Sequence, residues 1–243
     1  MEVQVAKRGG TMEKGTMEEG AVTFLDVLGW KNVWQRQEDG AIELCEQVIE
    51  LLRTVMAMFG DNAGRGWAGN LGGIKTSVRG LSNTIAISSI GPAEKTLVYH
   101  SALCAMTIDI AFRKGIPLRG AVSSGDFLVK NQRDLDTTLL IGPAVDEVAA
   151  WYEAVEWIGA VLTPSSYFCS PQEQAMDESY VVEYHVPVKG KENHTMKCVN
   201  WLREFKDEKE LANGFRSMAS VVTPDIAAKY QNTLDFYRHV YKR

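Results

Sequence analysis

Phe24-Leu25-Asp26-Val27-Leu28-Gly29-Trp30-Lys31 is the stretch on which the reading of this chain turns. It closes a short apolar run, Ala21 to Gly29, that reads as a buried strand stopping at a turn. A single carboxylate, Asp26, stands at the end of that strand. Beyond the turn the spacing becomes helical. Val33, Trp34, Ile42, Leu44, Cys45, Val48, Ile49, Leu52, Val55 and Met56 recur along Trp30 to Phe59, with a break near Asp39-Gly40. Free N–H groups at a helix start face any anion placed there. A carboxylate beside an anion cradle makes sense only with a cation between them, and Mg²⁺ held by one or two carboxylates plus substrate phosphates is the usual solution. The plainer reading stands beside it: a strand-ending Asp commonly caps a helix or closes a turn.

Outward from this stretch the elements follow in a regular order. Residues 60 to 73 hold six glycines and read as loop. Ile74 to Arg79 and Thr84 to Ser89 read as a hairpin around the corner Gly80-Leu81-Ser82-Asn83. Glu94 to Lys114 is a second amphipathic helix, ended by Gly115 and Pro117. Leu118 to Ser124 and Asp126 to Lys130 read as strands meeting at Gly125. Ile141 to Trp157 is a third helix with Gly142-Pro143 near its first turn. Ile158 to Leu162 is a strand, Tyr180 to Val188 and Met196 to Trp201 form a late hairpin, and Lys206 to Tyr241 holds two helices. Residues 1–19 are expected to be a flexible arm. Residues 20–243 are expected to be one domain, with a core at 20–163 and a C-terminal extension at 164–243. The order β-α-β-β-α-β predicts an α+β fold, a ferredoxin-like core with an antiparallel-rich sheet plus a C-terminal hairpin and helices. Such a fold hosts many functions and fixes none. In its sheet the hairpin lies beside the first strand, which lets Asn83 bring a second oxygen near Asp26. Asn is also the commonest kind of turn residue.

Composition excludes several classes. The chain has 243 residues, with 26 Lys+Arg against 31 Asp+Glu and a net charge of −5. An acidic balance argues against coating nucleic acid or an anionic membrane. Cys45, Cys104, Cys169 and Cys198 form no CxxC pair, so reduced thiols in a cytoplasmic protein are expected. No apolar stretch is long enough to span a membrane, and the N-terminus lacks the apolar region of a secretion signal. His185 and His194 are placed across the late hairpin, where a structural pair is the better reading than a zinc site. Trp151, Tyr152 and Trp157 suit the core better than an interface.

Four segments carry a resemblance to class III nucleotidyl cyclase domains. Phe24 to Trp30 resembles the family's Phe-x-Asp-Ile-x-Gly-Phe motif. The hairpin Leu81 to Ser88 falls where the family has its second metal Asp, here Asn83. Leu118-Arg119-Gly120-Ala121-Val122-Ser123-Ser124-Gly125 is similar to the Arg-x-Gly-Ile-x-x-Gly strand, and Ile141 to Ala150 resembles the Gly-x-x-Val-Asn-x-Ala-Ala-Arg helix start. The resemblance runs in order from Ala21 to Leu162. It departs at the family's helical Asn and Arg, which are Asp146 and Ala150. It departs too at the purine-reading Asp and Lys, which fall on Leu139 and Arg79. Losing that polar pair removes the reason to prefer ATP or GTP. The pattern most resembles the bacterial pyrimidine cyclases of Pycsar antiphage defence, whose product a separate effector protein reads.

The resemblance implies conversion of UTP or CTP to a 3′,5′-cyclic nucleotide and pyrophosphate with two Mg²⁺ or Mn²⁺ ions per site. It implies Asp26 and Asn83 as catalytic residues, and Asp26, the Val27 carbonyl and Asn83 as metal ligands. Leu28, Gly29 and Trp30 would cradle the phosphates, and Arg79 and Arg119 would contact the nucleotide. A strand Arg that snorkels to solvent is the plain alternative for each Arg. A homodimer with shared active sites is implied. An amide at position 83 loses a full negative charge, so a degenerate cyclase-like homodimer that binds nucleotide without chemistry is the alternative. A cyclase using ATP or GTP is the further one.

Overall fold

The computed structural model describes residues 16–29, 38–59, 74–132, 137–169, 180–218 and 223–241. Of the expected N-terminal arm, 1–19, only the last four residues fall among these, and Glu18 and Glu19 already belong to the first strand. Strand β1 is Glu18–Val27, helix α1 is Glu38–Phe59, and β2 (Lys75–Leu81) and β3 (Thr84–Ile90) form the hairpin. Helix α2 is Ala93–Arg113, followed by β4 (Leu118–Gln132), β5 (Thr137–Ile141), α3 (Pro143–Trp151), β6 (Gly159–Leu162) and α4 (Pro164–Cys169). The chain closes with β7 (Val181–Val186), β8 (His194–Val199), a 3₁₀ turn at Trp201–Glu204, α5 (Glu208–Met218) and α6 (Pro224–Tyr241).

One eight-stranded sheet runs β2-β3-β1-β4-β6-β8-β7, with β5 paired to β4 alone. The β2-β3-β1-β4 part is the ferredoxin-like order. β1 is antiparallel to both neighbours, in register Asp26 with Thr84 on one side and Asp26 with Arg119 on the other. Period-2 alternation therefore assigns the chemistry. Thr23 reaches His100 on α2. Phe24 packs edge-on against Tyr152, just past α3, with ring centroids 5.6 Å apart. One face of β1 thus serves a helix-covered core that includes Leu25, Leu51, Val55, Ile85, Leu97, Leu103 and Ile108. The other face carries Phe24 and Asp26.

Close backbone approach explains one glycine of the β4 motif. A Cβ at Gly120 would lie 2.1 Å from the Phe24 carbonyl oxygen, a fixed strand atom. No side chain fits there without separating β4 from the strand that carries Asp26.

Several boundaries differ from expectation. β4 is one continuous 15-residue strand, because Gly125 keeps its place opposite Gly20 at a φ of +148° that suits glycine. α3 ends at Trp151 rather than at residue 157; Val155 continues the apolar spacing because it is buried by a bridge to Val188, not because it is helical. The hairpin corner tightens to Ser82 and Asn83, with Gly80 paired to Ile85 inside β2. β5 and α4 are additional elements. The C-terminal strands join the same sheet through Val161 and Cys198. Trp157 stacks on Tyr184 at 5.2 Å and meets Phe236 of α6 edge-on at 4.5 Å. His185 lies opposite Thr195, not His194, which pairs with Val186, so the expected histidine pair does not form. Among the described residues no helix is long and apolar enough to cross a membrane.

Candidate active site

Asp26 ends β1 almost fully buried, at 3% exposure. The turn after it is fixed by two backbone bonds. The Val27 N–H donates to the Asn83 carbonyl at 3.0 Å, and the Leu28 N–H donates to the Pro117 carbonyl at 2.9 Å. Gly29 then takes φ +83°, a left-handed conformation that costs glycine nothing. The first bond draws the hairpin corner to the strand end, so the Asn83 side chain faces Asp26. Its Nδ2 donates to Asp26 Oδ1. The tight corner has its own requirement, a left-handed backbone at Ser82, φ 57°.

The second carboxylate oxygen belongs to Arg119. Its Nε donates to Asp26 Oδ2 at 3.1 Å, and both side chains are largely buried. Arg119 Nη1 donates further to the carbonyls of Glu153 at 2.8 Å and Val155 at 3.4 Å. Glu156 lies 3.7 Å from the same nitrogen. Burial pushes the Asp26 carboxyl above its ordinary value, against the opposing pull of Arg119, and the Glu153 charge adds to the rise. A buried carboxylate with one facing guanidinium and one facing amide is a cation site already partly satisfied from within.

The fit to a divalent metal follows from this donor set. Among the described residues no group of three His, Cys, Asp or Glu side chains is assembled. One carboxylate, one side-chain amide that can present its oxygen on turning over, and the Val27 carbonyl suit a hard ion that brings further oxygens with it. The phosphates of a bound nucleotide would supply such oxygens. The residues therefore fit a metal–nucleotide complex better than a bare ion.

The remaining expected site residues are dispersed. The Leu28 amide is engaged by Pro117, so its N–H is not available to an anion in this arrangement. Trp30 lies outside the described residues. Arg79 pairs with Ala86 and, through it, aligns with Phe24, on the Asp26 face but two strands away, about 10 Å at ordinary strand spacing. Leu139 of β5 pairs with Lys130 of β4 and is 45% exposed. Asp146 and Ala150 are exposed on the outer side of α3.

Sequence reasoning missed a second polar cluster on the same face. Glu147 of α3 accepts from Ser123 Oγ at 2.8 Å, Thr163 Oγ1 at 2.7 Å and the Ser165 N–H at 3.0 Å, and Ser165 Oγ donates to it as well. Burial works to raise its pKa, but these donors prevail and lower it. The cluster pins α3 to β4 and to the start of α4. It also missed Glu153, Glu156 and Lys229 around Arg119; Lys229 Nζ lies 3.0 Å from Glu156 Oε2. Charge type alone marks none of these, because their partners are distant in sequence.

No protein-family model matches the chain, and no curated protein matches it by sequence. Solved structures do resemble it. The adenylyl cyclase CyaB from P. aeruginosa aligns with TM-score 0.51 at 14% identity, over 77% of this chain and 96% of that one. The guanylyl cyclase domain of the RhoGC fusion protein from the fungus Blastocladiella emersonii gives TM-score 0.53 at 14% identity, over 75% and 96%. A class III adenylyl cyclase-like ATP-binding protein from Pseudomonas aeruginosa gives TM-score 0.51 at 10% identity, over 98% of this chain and 47% of that one. At such identities the likeness concerns the fold. The chain has the fold of a class III nucleotidyl cyclase domain.

Proposed function

We propose that this protein is a nucleotidyl cyclase that works as a homodimer and takes a pyrimidine nucleoside triphosphate. The observation that carries the reading is the convergence of Asp26, Asn83 and Arg119 at the end of β1, on a fold shared with cyclases. In the reaction, the ribose 3′-OH attacks the α-phosphate of its own nucleotide. The new O–P bond closes the ring and pyrophosphate leaves. Asp26, the Val27 carbonyl and, once its amide turns over, the Asn83 side-chain oxygen would hold the metal. A bound Mg²⁺ or Mn²⁺ would lower the 3′-OH pKa and neutralise triphosphate charge.

The chain's own groups do the rest. The Gly29 turn closes the strand end against the phosphates. Arg119, once released from Asp26, is a cation beside them. Asp146 and Ala150, exposed on α3, lie where a partner subunit could be met, which fits a site completed across a twofold axis. The RhoGC domain is itself described as dimeric. Pyrimidine preference is supported by Leu139 and Arg79, an apolar group and a guanidinium at the sequence positions that the resemblance gives to a purine-reading polar pair. The departures at Leu139, Asp146 and Ala150, with the C-terminal elements, carry the resemblance to the pyrimidine cyclases of antiphage defence, and on that reading a separate effector protein would read the cyclic product.

A second reading has its own observation. Asn83 and Arg119 already satisfy Asp26 without metal, which favours a homodimer that binds nucleotide and does no chemistry. The experiment is incubation of the protein, and of Asn83→Asp, with each of the four nucleoside triphosphates and Mn²⁺, with products identified by mass spectrometry. Cyclic UMP or cyclic CMP from either form is expected. Purine cyclic nucleotides alone would refute the pyrimidine preference. Nucleotide binding with no product from either form would leave the second reading standing.

A further inference from the structure

Helix α6 lies at the far end of the chain from β1, yet it is tied to the Asp26 site by a row of alternating charges. Asp26 Oδ2 is 3.1 Å from Arg119 Nε, Arg119 Nη1 is 3.7 Å from Glu156 Oε1, and Glu156 Oε2 is 3.0 Å from Lys229 Nζ on α6. Arg119 and Lys229 side chains are each 15% exposed and Glu156 26%, so the row is largely withdrawn from solvent.

The backbone that carries Glu156 is held by the same helix. Asn232 Nδ2 donates to the Glu156 carbonyl at 2.7 Å, and the Ile158 N–H donates to Thr233 Oγ1 at 2.9 Å. From the other side, the Glu156 N–H donates to the Pro187 carbonyl at 2.9 Å, and the Lys189 N–H donates to the Ala154 carbonyl at 2.8 Å. Segment 152–158 is therefore tied on one side to α6 and on the other to the chain just past β7. Its carbonyls at Glu153 and Val155 are the ones that hold Arg119.

We propose that α6 is a positioning element of the Asp26 site, acting through Lys229 and Glu156 on where Arg119 places its charge. The inference rests on the reading of Asp26 as the residue that meets a metal–nucleotide complex. Arg119 is shared between two carboxylates. Whatever strengthens the hold of Glu156 on it loosens the guanidinium from Asp26 and opens that carboxylate to metal. Whatever weakens that hold commits Arg119 to Asp26 and closes it.

Alternation makes the prediction signed. Glu156→Gln removes the competing carboxylate, so Mn²⁺ uptake with UTP weakens. Lys229→Met removes the charge that occupies Glu156, so uptake tightens. Each change is expected to be about twofold to fivefold, the size of one partly exposed charge contact. Lys229→Arg keeps the charge and restores wild-type uptake.

The experiment is Mn²⁺ binding in the presence of UTP, read by loss of the free-ion EPR signal. It is run on folded protein in salt high enough to screen charges beyond direct contact. The same two changes are then made in an Arg119→Met background, where both effects should vanish if they pass through Arg119. Opposite shifts that disappear without Arg119 support the inference. Shifts of the same sign, no shift, or shifts that persist without Arg119 overturn it while leaving the Asp26 reading intact. Absence of Mn²⁺ and UTP binding by the wild type overturns both.

Discussion

The two faces of β1 use polar groups in opposite ways. On the helix-covered face, Thr23 Oγ1 lies 2.7 Å from His100 Nδ1, His100 Nε2 lies 2.8 Å from Ser89 Oγ, and Ser89 Oγ lies 2.8 Å from Thr76 Oγ1. Every member is neutral and partnered, and His100 is fully buried. On the other face, Asp26 is equally buried but charged, and its partners Asn83 and Arg119 are each able to take another. The first arrangement is closed and pins β1 to β3 and α2. The second is open to exchange. A buried ionised carboxylate is costly to keep, and a fold keeps such a group where it meets something from outside. The difference lies between Thr23 and Asp26, three residues apart on one strand.

The largest expected break concerns the open face. Asp26→Asn preserves shape and removes the charge, so cyclisation should fall by roughly a thousandfold, measured as product per unit time. Stability should move the other way. The Asp26 pKa is raised in the folded state. Its contribution is present below the ordinary carboxylate value and is lost as pH rises through the raised one. The variant should therefore lose less stability than wild type as pH rises from the acid range to neutral, in thermal unfolding without metal.

The closed face carries the next effect, and its sign is reversed. Burial holds the His100 pKa down from 6.5 to about 3. A depressed value means stability is present above 6.5 and drains as pH falls toward 3, on the order of 3–5 kcal/mol in total. His100→Ala should flatten that slope in denaturant titrations at several pH values. It should also cost about 3 kcal/mol at neutral pH through the cavity and the stranded hydroxyls of Thr23 and Ser89.

Between the faces, Gly120→Ala forces a Cβ to within 2.1 Å of the Phe24 carbonyl, so it tests the strand pairing that both faces share. A loss of about 2–3 kcal/mol is expected by urea denaturation. Smallest is Glu147→Gln, which keeps the shape of the Ser123, Thr163 and Ser165 cluster and removes its charge. It should cost about 1 kcal/mol with turnover per folded molecule little changed.

The ferredoxin-like order was legible because alternation and helical spacing are local properties, and Asp26 because a lone carboxylate at the end of an apolar run contrasts with its neighbours. Gly125 and Val155 misled for the same local reason. A glycine inside a long paired strand looks like a break, and a buried loop residue at helical spacing looks like a continued helix. Asn83 was legible from the hairpin lying beside β1, Arg119 only as a member of a motif; their meeting at one carboxylate depends on sheet register, with Arg119 lying 93 residues from Asp26. Glu156 and Lys229 had no local sign at all. Their roles follow from where α6 docks, and tertiary packing sets that.

The central claim is that Asp26 meets a metal–nucleotide complex, and its most direct measurement is equilibrium binding of UTP to wild type and Asp26→Asn, with and without Mn²⁺. Mn²⁺ should strengthen UTP binding to the wild type by tenfold or more and have little effect on the variant. Equal Mn²⁺ dependence in both proteins would contradict the claim.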